Sequence, residues 1–178
     1  MPPEVRQAPP LSPARMRRLA EHYVERFGGP SANLRRMLKR HIDRSAREHG
    51  TDSRSLIQQG EAIIAELCEA GAINDALYAE GKARSLRERG TPARMIAMKL
   101  RLRGLDPQHV QRAMDELASD PADSELAAAK ALVRRRRLGP HRPADKREAY
   151  RQKDLAAVVR AGFGFDVARR ALAELDPD

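Results

Sequence analysis

The sequence predicts an all-α fold of three tandem three-helix units forming an elongated, curved array. Three observations carry that expectation. First, short apolar segments ending in Glu-Leu occur three times, at Ile63-Ile64-Ala65-Glu66-Leu67, Ala113-Met114-Asp115-Glu116-Leu117 and Ala171-Leu172-Ala173-Glu174-Leu175. Each belongs to a stretch with small or apolar residues at i, i+3, i+4 and i+7, which is one face of a helix. Second, the chain is 41% hydrophobic but only 3% aromatic, with no Trp. A core of Leu, Ala, Ile, Val and Met suits helix packing better than a sandwich or barrel. Third, no stretch alternates apolar and polar residues long enough to argue for a strand. Repetition at a fixed period determines architecture before single residues are interpreted, and an array presents an extended surface rather than one catalytic pocket.

The second and third copies align without a gap at an offset of 58, which sets Gly104 on Gly162, Leu105 on Phe163, Arg112 on Arg170, Ala113 on Ala171 and Glu116 on Glu174. The shared pattern is a helix, a glycine break, an apolar residue and a second helix. The first copy needs two offsets. Its middle segment Leu34-Arg35-Arg36-Met37-Leu38 matches Ile96-Ala97-Met98-Lys99-Leu100 at 62, and its last helix matches at 50. About twelve extra residues therefore lie near 41–54, in a charged stretch containing Gly50 and Asp52.

Each unit is justified in turn by its start and stop signals. Unit one, 13–70, follows a Pro-rich tail over 1–12 that is expected to be disordered. Its helices are expected at Pro13–Phe27, Ser31–Glu48 and Ser53–Glu69, with Ser31 capping the second and Ser53 or Asp52 the third. Unit two, 71–119, has helices at Asp75–Arg89, Pro92–Arg103 and Pro107–Leu117. Thr91-Pro92 and Asp106-Pro107 read as a polar cap followed by proline at the first helical position. Unit three, 120–178, has helices at Asp123–Leu138, Ala144–Ala161 and Asp166–Leu175. Gly104 and Gly162 suit the left-handed conformation that ends a helix.

A length of 178 residues fits one or two ordinary domains. Charge-free apolar runs fall far short of the roughly 20 residues that span a bilayer, and no apolar signal core follows Met1. A soluble, cytoplasmic protein is expected. Cys68 is the single cysteine, which excludes an intramolecular disulfide, and it reads as a small buried hydrophobe on an apolar helix.

The net charge of +9 points to a polyanionic partner. Arg36, Arg40, Arg44 and Arg47 recur at three- and four-residue spacing and line one helix face, flanked by Arg35 and Lys39. The corresponding helix of unit two carries Arg94, Lys99, Arg101 and Arg103. The densest run is Arg134-Arg135-Arg136-Arg137, followed by Arg142, Lys146 and Arg147. Arginine forks and lysine point charges suit phosphates, and crowded cations are stabilised by a counter-anion. The same residues also suit a solvated face or an acidic protein surface, and cations near a helix C-terminus are favourable without any ligand. No aromatic residues interleave with them as in single-strand stacking platforms.

An enzyme is not expected. His22, His41, His49, His109 and His141 lack a metal-ligand spacing, and neither a glycine-rich phosphate loop nor a nucleophile elbow occurs. No catalytic residue, cofactor or metal is assigned.

The stretch Gly71-Ala72-Ile73-Asn74-Asp75-Ala76-Leu77-Tyr78-Ala79 resembles the signature of the RecX family of bacterial recombination regulators. Arg89-Gly90-Thr91-Pro92, Lys99-Leu100 and Arg103-Gly104-Leu105 continue the pattern. Residues 160–172, from Arg160 through Gly162-Phe163 to Leu172, are similar to the family's closing repeat. Within the signature, Asn74 or Asp75 can cap a helix, while Leu77 and Tyr78 are expected in the core between units. The charged insertion of unit one departs from the family pattern.

The resemblance implies a partner, the RecA recombinase polymerised on single-stranded DNA. It also implies an action: insertion into the filament groove and inhibition of strand exchange and ATP hydrolysis, in the regulation of DNA repair. A monomer is expected, with non-specific DNA contacts. A different class of function, an autonomous helix-turn-helix-like DNA-binding regulator, accounts for only one of the three units. A helical adaptor for an acidic protein is the third alternative.

Overall fold

The computed structural model describes residues 9–120 and 124–173, and the regular secondary structure over these residues is all helical, with nine α-helices and one short 3-10 turn. The helices are α1 (Pro13–Phe27), α2 (Ser31–His49), α3 (Ser53–Glu69), α4 (Asp75–Glu88), α5 (Ala93–Leu102), α6 (Pro107–Ser119), α7 (Glu125–Arg136), α8 (Ala144–Ala161) and α9 (Phe165–Ala173), with the 3-10 turn at Gly139–His141. Residues 1–8 of the expected tail, the Asp123 helix start and the third Glu-Leu ending at Glu174-Leu175 lie outside the described residues.

The fold divides into two compact bodies, residues 1–75 and 76–178. The first holds one apolar cluster, in which Met16 and Ala20 of α1, Leu34, Leu38 and Ile42 of α2, and Leu56, Ile63 and Ile64 of α3 are buried. Leu11, which the sequence reading places in the tail, is buried beside them, and its N–H donates to the Ser45 hydroxyl at 2.9 Å. The first body thus uses the apolar stripe of each helix and one buried hydroxyl to fasten the segment before α1.

The second body holds two clusters. One joins Ala79 and Ala83 of α4, Ile96 and Leu100 of α5, Leu105, and Val110 and Ala113 of α6. The other joins Ala128, Ala129, Leu132 and Val133 of α7, Leu138, Val158 of α8, Phe163, and Ala168 and Ala171 of α9. Gly90 brings them together. A Cβ there would lie 2.4 Å from Leu132 N and 2.6 Å from Ala128 O, and its φ is +72°. Only a residue without a side chain lets the turn after α4 rest directly on the backbone of α7.

Capping differs from the sequence reading in an instructive way. Ser12, Asp52, Asp106 and Ser124 cap α1, α3, α6 and α7 from their own chain neighbourhood. Ser31 does not cap α2, and Thr91 does not cap α5. Pro30 and Pro92 occupy those N-cap positions and have no side chain to offer. The acceptor comes from a distant residue in both cases. Asp75 accepts from Ser31 N at 2.7 Å and from Ser31 Oγ at 2.6 Å. Glu125 accepts from Ala93 N at 2.8 Å. Asp75 and Glu125 are each the first residue of their own helix, so one acidic position serves two helix starts.

Two further expectations are corrected. Leu77 is 63% exposed and is not a core residue, because it sits on the outer face of α4, whereas Ala79 and Ala83 face inward. Cys68 is exposed, since Ile63, Ile64 and the half-buried Leu67 already take the inward face of α3.

Candidate polyanion-binding surface

On α2 the buried face is Leu34, Leu38, Ile42 and Ser45. The remaining face presents Arg36, Arg40, Arg44 and Arg47, all exposed. Neighbouring side chains already engage part of this helix. Arg35 makes a two-pronged contact with Glu61 at 2.6 and 2.8 Å, Lys39 pairs with Asp43 at 2.9 Å, and Arg36 donates to Asn33. Among the described residues Arg40, Arg44 and Arg47 form no ion pair, so the surplus charge collects on the C-terminal half of α2. Its field is felt locally: burial first, and then the charges of Arg44, Arg15 and Arg40, push His41 below the ordinary histidine range.

On α5, Ile96 and Leu100 are buried, while Arg94, Lys99 and Arg101 are exposed. Arg103 is half-buried and donates to the Tyr78 hydroxyl at 3.1 Å, which gives both residues a packing role. The exposed side of α5 is not purely cationic, since Met98 and Leu102 are 41% and 71% exposed.

Arg134, Arg135 and Arg136 form the last turn of α7, and Arg137 follows as its C-cap, all four exposed. Arg137 has φ +52°, the one left-handed non-glycine among the described residues. A side chain in this conformation costs roughly 1–2 kcal/mol where glycine would cost little.

Arg142 behaves differently from the other basic residues singled out in the sequence. Its guanidinium grips Asp154 through Nε at 2.6 Å and Nη2 at 2.7 Å, and lies 4.4 Å from the centre of the Tyr150 ring. Asp154 is only 2% exposed and also accepts from Gly139 N at 2.8 Å. The hydrogen bonds from Arg142 hold the Asp154 carboxyl below its usual range, with the Gly139 N–H and the Arg142 charge adding and burial opposing. Arg142 is therefore part of the internal structure and has no fork left for a ligand. The spacing of Asp154 and Val158, one helical turn apart on the inward face of α8, is a sequence signal for a buried acid needing a cation.

The basic residues thus occupy α2 in the first body and α5 and α7 in the second. Among the described residues no three His, Cys, Asp or Glu side chains are grouped to hold a metal ion. No helix among them is long and apolar enough to cross a membrane.

Comparison with known proteins converges on one group. Residues 74–114 match the family described as RecX, second three-helix domain. A regulatory protein RecX from Myxococcus xanthus is 37% identical over 163 residues, spanning 91% of this chain and 86% of that protein. One from Halorhodospira halophila is 39% identical over 116 residues, spanning 65% of this chain and 68% of that protein. A crystal structure of a regulatory protein RecX superimposes with a TM-score of 0.57 at 19% identity, covering 91% of this chain and 74% of that one, which is a likeness of fold.

Proposed function

The chain belongs to the RecX family of regulatory proteins, and from that premise we propose that it binds the filament of RecA on single-stranded DNA and lowers its recombinase and ATPase activity. The observation that carries this reading is the 37% identity to a regulatory protein RecX across 91% of the chain. The surplus of cations on α2, α5 and α7 supports it, because a filament built on DNA offers phosphates to such surfaces. Division into three-helix units at 13–70, 71–119 and 120–178 belongs to the same reading and is supported by the three separate apolar clusters.

The action is binding rather than catalysis, by a cytoplasmic monomer. It changes the filament only by differential affinity: a protein that binds one assembly state more tightly than another shifts the population toward it. Arg35, Arg36, Lys39, Arg40 and Arg44 on α2, Arg94, Lys99 and Arg101 on α5, and Arg134 to Arg137 are the proposed contacts. Arg103 and Arg142 leave the proposed set because their guanidiniums are engaged internally.

The test is a titration of the purified chain into RecA hydrolysing ATP on single-stranded DNA. Hydrolysis is expected to slow at substoichiometric ratios and filaments to shorten. An unchanged rate with unchanged filament length overturns the reading.

A further inference from the structure

A cleft of about 410 Å³ opens between α8, α9 and the 3-10 turn, and no contact proposed above lies in it. Three guanidiniums line it: Arg147 and Arg151 of α8 and Arg169 of α9. Pro140, Leu155 and Leu172 form its apolar wall. This volume falls within the roughly 300–1,000 Å³ range typical of ligand pockets.

The charge in the cleft is cationic in surplus. Asp154 lies at its base but is already neutralised by Arg142. Glu148 approaches Arg151 no closer than 3.9 Å, and Asp166 approaches Arg169 no closer than 3.7 Å. All four of these side chains are at least 69% exposed, and pairs of that kind hold little energy against a competing anion.

The cleft is also fixed in shape. Asp154 ties the 3-10 turn to α8 through Gly139 and Arg142. Arg147 Nε donates to the Arg142 carbonyl at 3.0 Å, which sets its head at the rim while its other nitrogens stay available. On the opposite side the turn meets α9 at Gly139, where a Cβ would lie 2.7 Å from Leu172 Cδ2. A site held in place before binding loses less free energy on ordering.

We infer that this cleft seats one nucleotide of a single DNA strand, with its phosphate between Arg147, Arg151 and Arg169 and its sugar and base against Pro140, Leu155 and Leu172. The inference rests on the proposed filament binding and names where the strand touches this chain. Guanidinium forks from two helices suit the two free oxygens of a phosphodiester. The apolar wall beside them suits the body of a nucleotide better than a bare carboxylate.

The test is fluorescence anisotropy of a labelled oligothymidine with the whole chain, at rising salt. Arg151→Gln with Arg169→Gln is expected to weaken binding about tenfold at low salt. It should also flatten the slope of log affinity against log salt by about 0.7, the loss of one single-strand phosphate contact. Arg18→Gln with Arg54→Gln removes equal charge from α1 and α3 and is expected to retain both values. Equal losses in the two double variants, or none in the first, would overturn the inference. So would free AMP displacing the probe at micromolar concentration, which would assign the cleft to a mononucleotide. If the Arg151 and Arg169 variant binds the strand normally but no longer slows RecA, the cleft faces protein, and the nucleotide assignment fails while the filament reading stands.

Discussion

The carboxylate of Asp75, first residue of α4, closes the N-terminus of α2 by accepting from both the N–H and the hydroxyl of Ser31. Glu125, first residue of α7, likewise closes the start of α5 by accepting from the Ala93 N–H. Ala93 follows Ser31 by 62 residues and Glu125 follows Asp75 by 50, the same two offsets that relate the first and second sequence copies. The repeat therefore preserves a capping partnership between distant residues, not only a helix face. Asp75→Ala and Glu125→Ala are each expected to lower unfolding free energy by about 1–2 kcal/mol, the scale of a lost cap. Urea denaturation checks this. Glu125→Ala should cost the more, since Glu125 also holds the nearly buried Arg87 at 2.7 Å.

Gly90→Ala is expected to destabilise the second body by about 3 kcal/mol, from a left-handed alanine and from overpacking against the α7 backbone. Calorimetry should place the loss in residues 76–178, with the melting of the first body unchanged.

The Asp154–Arg142 pair makes stability depend on acid pH. The folded Asp154 carboxyl ionises below its unfolded value. Its contribution is therefore complete above the unfolded carboxylate value of about 3.9, and it is lost as pH falls through the lower folded value. Asp154→Asn should remove this dependence and cost about 3 kcal/mol at neutral pH, because Arg142 loses its counter-charge. Thermal melts of both proteins between neutral and acid pH read out the difference.

Arg137 separates stability from binding. Arg137→Gly relieves the left-handed side chain and is expected to raise stability by about 1 kcal/mol while weakening single-stranded DNA binding. Replacing Arg134 to Arg137 with serine should flatten the salt dependence of binding by up to about 0.7 per lost contact. A salt slope equal to that of the parent protein would identify these arginines as a solvated face.

His41 reports on the α2 surface without being mutated. Burial first, and then the charges of Arg44, Arg15 and Arg40, hold it below the ordinary histidine range. A polyanion on α2 should screen these charges and raise the His41 value, which a histidine NMR titration with and without oligothymidine would detect. An unmoved value would place the DNA elsewhere.

The helices were legible in the sequence because their signals are local. The α1 and α3 bounds, Pro13–Phe27 and Ser53–Glu69, and those of α8, Ala144–Ala161, follow from caps, prolines and apolar spacing. The buried faces of α2 and α3 follow from the same spacing. Leu77 and Cys68 failed on which face of their own helix turns inward, and the other failures were positions whose role is set by a distant partner. Ser31 looked like a cap because serine commonly is one, but Pro30 holds that place and Asp75 supplies the acceptor. Arg142 looked like one more surface cation, but Asp154 draws it inward.

The sequence by itself determined an all-α chain, its repeat and the helices that carry the cations. Those properties depend on side-chain periodicity and backbone preference, which act over a few residues. Only the tertiary structure decided which cations were already spent on internal acids, and that Arg147, Arg151 and Arg169 share a cleft. The physical reason is that a charge is neutralised by what lies within a few ångströms of it, and for Arg142 that neighbour is the buried Asp154, 12 residues away along the chain.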